Sequence, residues 1–479
     1  MLGIYFIVGL LISGLIFLFR RKGVAFILTS LFLALQICLT IYAFINRDGI
    51  ELKYFTFDSL SLIFLLIMSV VAVAVFFHCI EYVKDETPWK RSMFCFSFVL
   101  LNMSLAGVYT ANNIIVTWIF IELTTLSAAG LINHHKHLNA LEATWKYIFI
   151  CSVGIAIAYI GILFSSVTSS AAHSGDMSYA GLKGSFSQIN PVYLKMAFIL
   201  ILTGYSSKLE VFPLYTIGID ANYVAPAPVS AFLSSALVNG GFVAFYRVFD
   251  TMSGSAITVW INHVLLITGL LSLIVAAAYM QKVNNLKRAY AYSTVEHMGL
   301  VLIALSFGKT GVVIALIQVT IHSFIKSGLF LQAGILHKIL KSYKLSKRGG
   351  YLILNPVGAV ILLIGVVLIT AVPPSGLFVS EFLLFKQMAA GQWILFWAVA
   401  ILLTLIFYGI FTRNLHIIMG DPQSQYQEAA GVPISGSITQ MIFFAIAIIA
   451  CFYMPHFISD LFASVAGYDN IPQVLLNLK

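Results

Sequence analysis

The sequence contains few charged residues. Of its 479 residues, Lys and Arg account for 27 and Asp and Glu for 18, so charged residues make up 9% of the chain, against roughly 25% in a soluble domain. Hydrophobic residues reach 60%, and the mean hydropathy is +0.97. This composition excludes a soluble enzyme, a disordered chain and a nucleic-acid-binding protein, in spite of a net charge of +9.

Cysteine is scarce as well. The chain has five cysteines, and no two of them form a CxxC pair. All five lie in or beside apolar segments, which is typical of small core residues rather than of disulfides or metal ligands. His134, His135 and His137 lie close together, but without a neighbouring carboxylate or cysteine they indicate a solvated loop. Because GxGxxG, P-loop and HExxH motifs are also lacking, we expect no cofactor and no metal in this chain.

Long apolar segments dominate the sequence. Fourteen of them approach the ~20 residues that a bilayer-crossing helix needs. They predict an all-α polytopic membrane protein with about 14 transmembrane helices, folded as a single membrane domain over residues 1–479. The seventh segment, 193–217, contains Pro213, and the twelfth, 352–388, contains Pro373 and Pro374. We expect both to be broken helices, which membranes tolerate only where protein or a water-filled cavity lines the break.

Basic residues are distributed unevenly between the predicted loops. The first apolar segment precedes Arg20 and Arg21, which is the wrong order for a signal peptide and indicates a spanning helix with its N-terminus outside. In that orientation the inner loops, 338–348 among them, carry 16 Lys and Arg, and the outer side carries 7. This positive-inside bias predicts that both termini lie on the outer side of the membrane.

Several charged residues fall inside predicted spans. A charge in hydrocarbon costs at least ~2.5–3.5 kcal/mol, so each of these residues is a candidate for function. The two halves of the chain carry them in a similar order: Glu122, Lys146 and Lys208, then Glu296, Lys326 and Glu381. The first and last of the three residues are 86 positions apart in the first half and 85 in the second. Together with the broken helices, this order predicts two inverted five-helix repeats, 93–248 and 256–416, an architecture of ion transporters.

Other titratable residues leave alternatives open. Glu142 and Lys146 are spaced i,i+4 in the favourable order, which fits either a surface ion pair or part of a proton pathway. His297 follows Glu296 directly, so one of the two is expected to line a cavity while the other packs. Lys386 lies near the outer end of its span, where it fits an exit path or a side chain that reaches the interface.

His322 and Lys326 are also spaced i,i+4 and therefore share one face of the eleventh span. Two basic groups on one apolar face would be costly if that face met lipid. This spacing favours a proton relay.

Several motifs carry a resemblance to a known family. They are GYSSKLEVFPLY at 204–215, LKRAYAYSTVEHMG at 286–299, HSFIKSGLF at 322–330 and PPSGLFVSEFLLF at 373–385. Over roughly residues 55–415 the chain resembles the proton-translocating antiporter-like membrane subunits of respiratory complex I, Mrp-type sodium/proton antiporters and membrane-bound hydrogenases. Within that family it is most similar to the hydrogenase-4 component F branch, on LEATWKYIFICSVGIA at 141–156 and VEHMG at 295–299.

The resemblance implies roles for particular residues. Glu122 and Lys208 match a charged pair on the family's fifth and seventh helices. His322 and Lys326 match residues of the eleventh helix, and Glu381 matches an acidic residue of the twelfth. In the family these groups line a hydrated, proton-conducting axis. Tyr215 and Ser234 stand where many or several relatives have histidine, so a histidine relay in the eighth helix is not expected.

The function that the resemblance implies is proton translocation across a bacterial inner (plasma) membrane. The chain would be a non-catalytic subunit of a redox-driven complex of the hydrogenase-4/formate hydrogenlyase type. Its partners would be other membrane subunits and a peripheral redox arm that carries Fe–S and NiFe cofactors. Two alternatives remain: an Mrp-type sodium/proton antiporter subunit, and the membrane subunit of a two-component inorganic-carbon uptake system with a soluble partner.

Overall fold

The computed structural model describes residues 1–171, 175–186, 190–345, 349–420 and 434–468. Nearly all of these residues are helical, which confirms the predicted all-α class. The exception is one antiparallel pair of two-residue strands in the described part, Ile50–Glu51 (β1) and Phe55–Thr56 (β2). The predicted inner-loop residues Lys347 and Arg348 lie outside the described residues.

The chain forms two compact units. Unit 1 consists of Met1–Ala225 and Ala236–Val264. Its helices are α1 (Leu2–Leu18), α2 (Lys22–Ile45), α3 (Ser59–Val83), α4 (Pro88–Thr110), α5 (Ile114–Ile132), α6 (Leu138–Ala171), α7 (Tyr179–Ser185), α8 (Pro191–Leu209), α9 (Thr216–Val224) and α11 (Val238–Met252).

Unit 2 consists of Pro226–Ser235 and Leu265–Lys479. The helix α12 (Thr258–Met280) begins in unit 1 and continues into unit 2. The other helices of unit 2 are α10 (Ala227–Phe232), α13 (Leu286–Leu305), α14 (Gly308–Leu340), α15 (Tyr351–Leu354), α16 (Pro356–Ile369), α17 (Gly376–Ala389), α18 (Trp393–Met419), α19 (Ile438–Phe452) and α20 (His456–Val465).

Many of these helices are long and apolar enough to cross a membrane. Within the described residues, 10 helices meet this condition by length and composition, or up to 11 if α19 and α20, bent by 75°, form one span. The helices α1 and α16 are apolar but shorter, and α13 is not among the ten. The chain is therefore a polytopic membrane protein, while the count of fourteen spans and the inverted repeats stay predictions.

Both predicted helix breaks lie at the prolines. The helix α8 ends at Leu209, Glu210 adopts a left-handed conformation with φ of 56°, and α9 begins at Thr216, after Pro213. The second break separates α16 from α17 and contains Pro373 and Pro374. Proline lacks a backbone N–H and cannot continue a helical hydrogen-bond ladder. The first break therefore begins two residues after Lys208, and the second ends six residues before Glu381.

The predicted eighth span, 226–248, contains an irregularity that the sequence did not indicate. A π-helical turn, Leu233–Leu237, joins α10 to α11. It contains neither glycine nor proline, so no breaker residue marks it. Single π-turns inside helices are frequent at functional sites.

Side-chain caps fix where the charged helices begin. Asn285 accepts hydrogen bonds from the backbone N–H groups of Lys287 and Arg288 at the start of α13. Ser375 accepts one from Leu377 at the start of α17. Such caps satisfy N–H groups that have no partner within the helix. They set the starting points of the two helices that carry Glu296 and Glu381.

Candidate functional sites

The first site begins at a close crossing of α6 and α8 in unit 1. A Cβ atom on Gly204 would lie 2.3 Å from the carbonyl oxygen of Gly154, so no larger residue fits there without displacing backbone. The two helix backbones can approach closely only because glycine lacks a side chain. Lys208 lies one turn after Gly204 and is therefore brought beside α6.

Lys208 is buried, and its hydrogen-bond partner comes from α6. Its Nζ atom donates to the hydroxyl of Tyr147 at 3.0 Å and lies 5.0 Å from the centre of that ring. The ammonium group thus has both a hydrogen bond and a cation–π contact with the same residue. Tyr147 is itself buried.

Glu122 on α5 also contacts α6. The Ser152 hydroxyl donates to Glu122 Oε1 at 2.8 Å, and Glu122 Oε2 is buried with no hydrogen-bond partner in the described part of the chain. Glu122 and Lys208 therefore do not hydrogen-bond to each other directly, although their charges are close enough to interact. Both side chains instead contact α6, Lys208 at Tyr147 and Glu122 at Ser152. They do not form a direct ion pair.

Glu210 lies at the break that follows Lys208. Its carboxylate accepts a hydrogen bond of 3.3 Å from the side-chain amide of Asn222 on α9. A Cβ atom on Gly218 would lie 2.2 Å from the carboxyl carbon, so Gly218 leaves the space that Glu210 occupies. The broken helix thus carries a second buried charged residue two positions after Lys208.

The second site lies in unit 2, where α13, α14 and α17 meet. The helix α14 contributes residues at i, i+4 and i+8, which lie on one face. Polar side chains from the three helices assemble there, all of them buried except Glu381, which is 13% exposed: Glu296 and His297 from α13, Gln318, His322 and Lys326 from α14, and Ser380 and Glu381 from α17.

His297 has the most contacts within this cluster. Its Nδ1 atom lies 2.9 Å from Gln318 Nε2 and 3.9 Å from Glu381 Oε1. Its Nε2 atom lies 3.1 Å from the carbonyl oxygen of Ile369. The ring centres of His297 and His322 are 5.2 Å apart. The sequence did not decide whether His297 or Glu296 lines a cavity. In the structure His297 lies at the centre of the cluster.

The other basic groups of α14 differ in their surroundings. Lys326 Nζ donates to the carbonyl oxygen of Tyr290, whose hydroxyl donates to Asn414 on α18 at 2.9 Å. Neither ring nitrogen of His322 has a hydrogen-bond partner among the described residues, and the side chain is fully buried. Glu296 Oε2 is likewise buried without a partner in that set. Buried polar atoms rarely lack a protein partner, and ordered water or a role in chemistry accounts for many of those that do.

Three of the predicted site residues are located elsewhere. Glu142 and Lys146 form an ion pair at 2.5 Å with 64% and 51% of their side chains exposed, which favours the surface-pair alternative. Lys386 lies in the last turn of α17 and is exposed.

The loop histidines also have partners other than a metal. His134 Nε2 lies 3.6 Å from Glu86 Oε1, and His135 is hydrogen-bonded to the Tyr82 hydroxyl at 2.6 Å. Over the described ranges, no group of three or more His, Cys, Asp or Glu side chains is arranged to hold a metal ion. The five cysteines, all described, are free.

A partly buried ion pair connects the start of α3 to α11. Asp58, predicted as a helix cap, does accept from the Ser61 N–H, and Arg247 donates to both of its carboxylate oxygens at 2.8 and 3.0 Å. Arg247 also donates to the Tyr109 carbonyl at 2.8 Å. Burial alone would raise the pKa of Asp58, but the Arg247 charge and hydrogen bonds from Arg247 and Ser61 outweigh it and lower the pKa below 3.8.

Sequence reasoning missed residues that carry no charge. Tyr147 and Ser152 hydrogen-bond to charged residues, Gln318 contacts His297, and Ser380 contacts Gln318. None of the four carries a charge that would mark it in an apolar span. Gln318 had one available signal, because it precedes His322 by four residues and therefore shares its helix face. The partnership of Asp58 with Arg247, 189 residues later in the chain, had no local signal.

The many spanning helices and the buried charged clusters define a polytopic membrane protein of the ion-transporter type. The chain belongs to the family described as NADH:quinone oxidoreductase/Mrp antiporter, TM, whose model matches residues 111–407. The matched range includes every residue of both clusters.

Curated relatives agree with this assignment. The chain is 29% identical over 386 residues to the hydrogenase-4 component F homolog of Methylacidiphilum infernorum (isolate V4), covering 78% of this chain and 80% of that protein. It is 24% identical over 337 residues to hydrogenase-4 component B of Escherichia coli (strain K12) and spans about half (49%) of that longer protein. These matches confirm the predicted resemblance to this family and to its hydrogenase-4 members.

Two solved structures have the same fold. A subunit of the membrane-bound sulfane sulfur reductase, an archaeal respiratory membrane complex, superimposes with a TM-score of 0.85 at 20% identity, covering 100% of this chain and 99% of that one. A subunit of the Mrp complex from Dietzia sp. DQ12-45-1b gives a TM-score of 0.82 at 17% identity, with coverage of 99% and 98%. The fold is therefore that of antiporter-like membrane subunits.

Proposed function

We propose that this chain is a proton-translocating membrane subunit of a multi-subunit, redox-driven complex, of the hydrogenase-4/formate hydrogenlyase type. The observation that carries the proposal is the cluster of α13, α14 and α17, which combines two carboxyl groups, two imidazoles and one ammonium group, all of them buried except Glu381, which is 13% exposed. Membranes tolerate such groups where ions or protons pass. Histidine and carboxyl groups exchange protons with one another when burial brings their proton affinities together.

The first cluster supports the same chemistry. Glu122, Lys208 and the Tyr147 hydroxyl can each gain or lose a proton, and α6 connects them through hydrogen bonds of about 3 Å. Each unit of the chain therefore contains its own set of proton-exchanging groups. The similarity to the hydrogenase-4 component F homolog supports the hydrogenase type. The match covers 80% of that relative, which supports a comparison of the two chains over most of their length.

The chain itself is proposed to bind no redox cofactor. Its five cysteines are free, and three of them, Cys79, Cys95 and Cys151, are buried. Electron transfer would then occur in partner subunits of a peripheral arm. Both termini are proposed to lie on the outer side of a bacterial inner membrane, as the distribution of basic residues predicts.

The test is proton movement in proteoliposomes that contain the whole complex. A pH-sensitive dye inside the vesicles should report a change that depends on the redox donor and persists without sodium. A change that requires sodium would assign the chain to Mrp-type antiport instead. No change with an intact complex would reject the proposed function.

The orientation has its own test. Reporter fusions after residues 348 and 479 should report opposite sides of the membrane, inner and outer respectively. If both report the same side, the arrangement with fourteen spans is wrong. The reading frames beside the gene provide a further check, because hydrogenase subunits, Mrp-like subunits or one large zinc protein would each indicate a different complex.

A further inference from the structure

Two neutral side chains, Gln318 and Ser380, connect to His297 through consecutive hydrogen bonds. The Ser380 hydroxyl contacts Gln318 Oε1, and Gln318 Nε2 lies 2.9 Å from His297 Nδ1. His297 Nε2 then contacts the Ile369 carbonyl oxygen at 3.1 Å. Ser380 Oγ also lies 2.9 Å from the Leu377 carbonyl oxygen. Because all three side chains are buried, their polar atoms must find partners within the protein.

The orientation of the Gln318 amide in the structure corresponds to a neutral His297. An amide NH2 group can only donate, so His297 Nδ1 must be the unprotonated nitrogen that accepts. A carbonyl oxygen can only accept, so His297 Nε2 must carry the proton that is donated to Ile369. In this arrangement His297 is neutral, and the Ser380 hydroxyl donates to Gln318 Oε1.

The same atoms can satisfy a protonated His297. A 180° rotation of the Gln318 amide exchanges the positions of its oxygen and nitrogen atoms and leaves the shape of the side chain unchanged. Gln318 Oε1 then accepts from a protonated His297 Nδ1, and Gln318 Nε2 donates to Ser380 Oγ. The Ser380 proton turns to the Leu377 carbonyl, which lies within hydrogen-bond distance. His297 Nε2 continues to donate to Ile369. Turning the amide over removes the hydrogen bond between Gln318 and Glu381, and leaves Glu381 Oε1 beside the protonated Nδ1, 3.9 Å away.

We propose that Gln318 and Ser380 form a two-state hydrogen-bond switch that satisfies His297 both neutral and protonated, and so make His297 a proton carrier beside Glu381. The inference rests on the proposed proton translocation. Glu381 Oε1 lies 3.9 Å from His297 Nδ1. In the transfer step the O–H bond of a protonated Glu381 breaks and an N–H bond forms at Nδ1, leaving a carboxylate beside an imidazolium. The reverse step restores both neutral groups.

Other titratable groups surround His297 and act on the same equilibrium. Glu296 precedes it on α13, and α14 presents His322 and Lys326, the former with its ring centre 5.2 Å away. The helix α18 also packs against α13, but its Arg413 donates to backbone carbonyls at the end of α12. Gln318 and Ser380 are therefore positioning residues in a cluster whose charges come from α13, α14 and α17.

The first experiment measures the initial rate of proton translocation against pH in proteoliposomes of the whole complex. Gln318→Leu keeps the volume but removes both hydrogen bonds, so we expect a rate about tenfold lower, the factor that corresponds to one buried hydrogen bond. The matched control is Gln332→Leu, at a buried glutamine of the same helix that bonds to Tyr351 and Gly358. We expect the control to keep the wild-type pH profile.

Gln318→Glu provides the sharper readout. A carboxylate at this position accepts from a protonated Nδ1 and cannot donate, so it favours the protonated state of His297. We expect the alkaline limb of the pH–rate profile to move to higher pH by about one unit or more, as an adjacent opposite charge produces. Ser380→Ala should lower the rate less than Gln318→Leu, because Gln318 keeps its bond to His297.

A second measurement does not depend on translocation. Nitrogen-15 NMR of histidine-labelled protein, with His297 assigned by comparison with His297→Gln, reports which ring nitrogen carries a proton. At alkaline pH we expect an unprotonated Nδ1 in the wild type and a protonated Nδ1 in Gln318→Glu.

The switch is overturned if Nδ1 is unaffected by Gln318→Glu, or if Gln318→Leu has the same rate and pH profile as Gln332→Leu. If the NMR result is as expected while wild-type vesicles move no protons, the proposed function fails and the switch stands.

Discussion

Lys208 donates its hydrogen bond to the hydroxyl of Tyr147, 3.0 Å away, and not to a carboxylate. A tyrosine hydroxyl accepts from an ammonium group and can pass on its own proton, so it serves as a partner in either protonation state of the lysine. Glu122 takes its own hydrogen bond from Ser152, five residues after Tyr147 on the same helix. The charged groups of the first site are thus coupled through α6.

Removing the Tyr147 hydroxyl tests this coupling. Tyr147→Phe keeps the ring and its cation–π contact with Lys208 but deletes the acceptor of the hydrogen bond. We expect proton translocation by the complex to fall about tenfold, because a buried ammonium group loses its partner, while assembly is retained. A rate equal to that of wild type, measured as dye response in proteoliposomes, would mean that Lys208 exchanges protons without Tyr147.

Glu122 and Lys208 should behave as one unit in mutant analysis. Glu122→Gln and Lys208→Ala should each abolish coupled pumping, and the double mutant should be little worse than either single variant, because residues that act together are non-additive. Lys146→Ala is the matched control, since Lys146 lies in an exposed pair and its loss should leave pumping intact. Additive losses would place the two residues in separate steps.

Glu381 is expected to be a proton carrier of the second site. Glu381→Gln keeps the size and shape of the side chain but removes the titrating group. Proton translocation by the intact complex should fall by about 100-fold, the lower end of what a positioned acid–base group contributes, while the subunits still co-purify. Unchanged pumping with normal assembly would transfer this role to another residue of the cluster.

The Asp58–Arg247 pair predicts a pH dependence of stability. The pKa of Asp58 is lowered in the folded protein, so its stabilisation is present above 3.8 and is lost as pH falls through the lower, folded pKa. Asp58→Asn should reduce stability at neutral pH by about 3 kcal/mol or less, because Arg247 is 7% exposed but Asp58 is 34% exposed.

Thermal unfolding in detergent at several pH values measures this effect. The melting temperature of Asp58→Asn should be lower than wild type at pH 7, and the two should converge as pH falls below about 4. Equal melting temperatures at pH 7 would show that the ion pair contributes nothing to folding.

The helical class and the breaks at Pro213 and Pro373–Pro374 could be predicted because apolar length and proline act locally. The π-turn Leu233–Leu237 could not, since it contains neither glycine nor proline that would mark an irregularity. The charged residues of both sites could be predicted because a charge inside an apolar span costs free energy and therefore indicates a function. Their neutral partners could not be, because a glutamine or tyrosine in a span becomes informative only when the fold places it against a charge.

The glycine crossing of α6 and α8 has a mechanical consequence. Backbone contacts backbone at Gly154 and Gly204, so the spacing of the two helices has no compressible side-chain layer between them. The far face of α6 carries the exposed apolar residues Trp145, Phe149 and Val153. The separation of the two helix backbones at this level is therefore set by backbone contact, and it sets the distance that the Lys208 side chain spans to reach Tyr147.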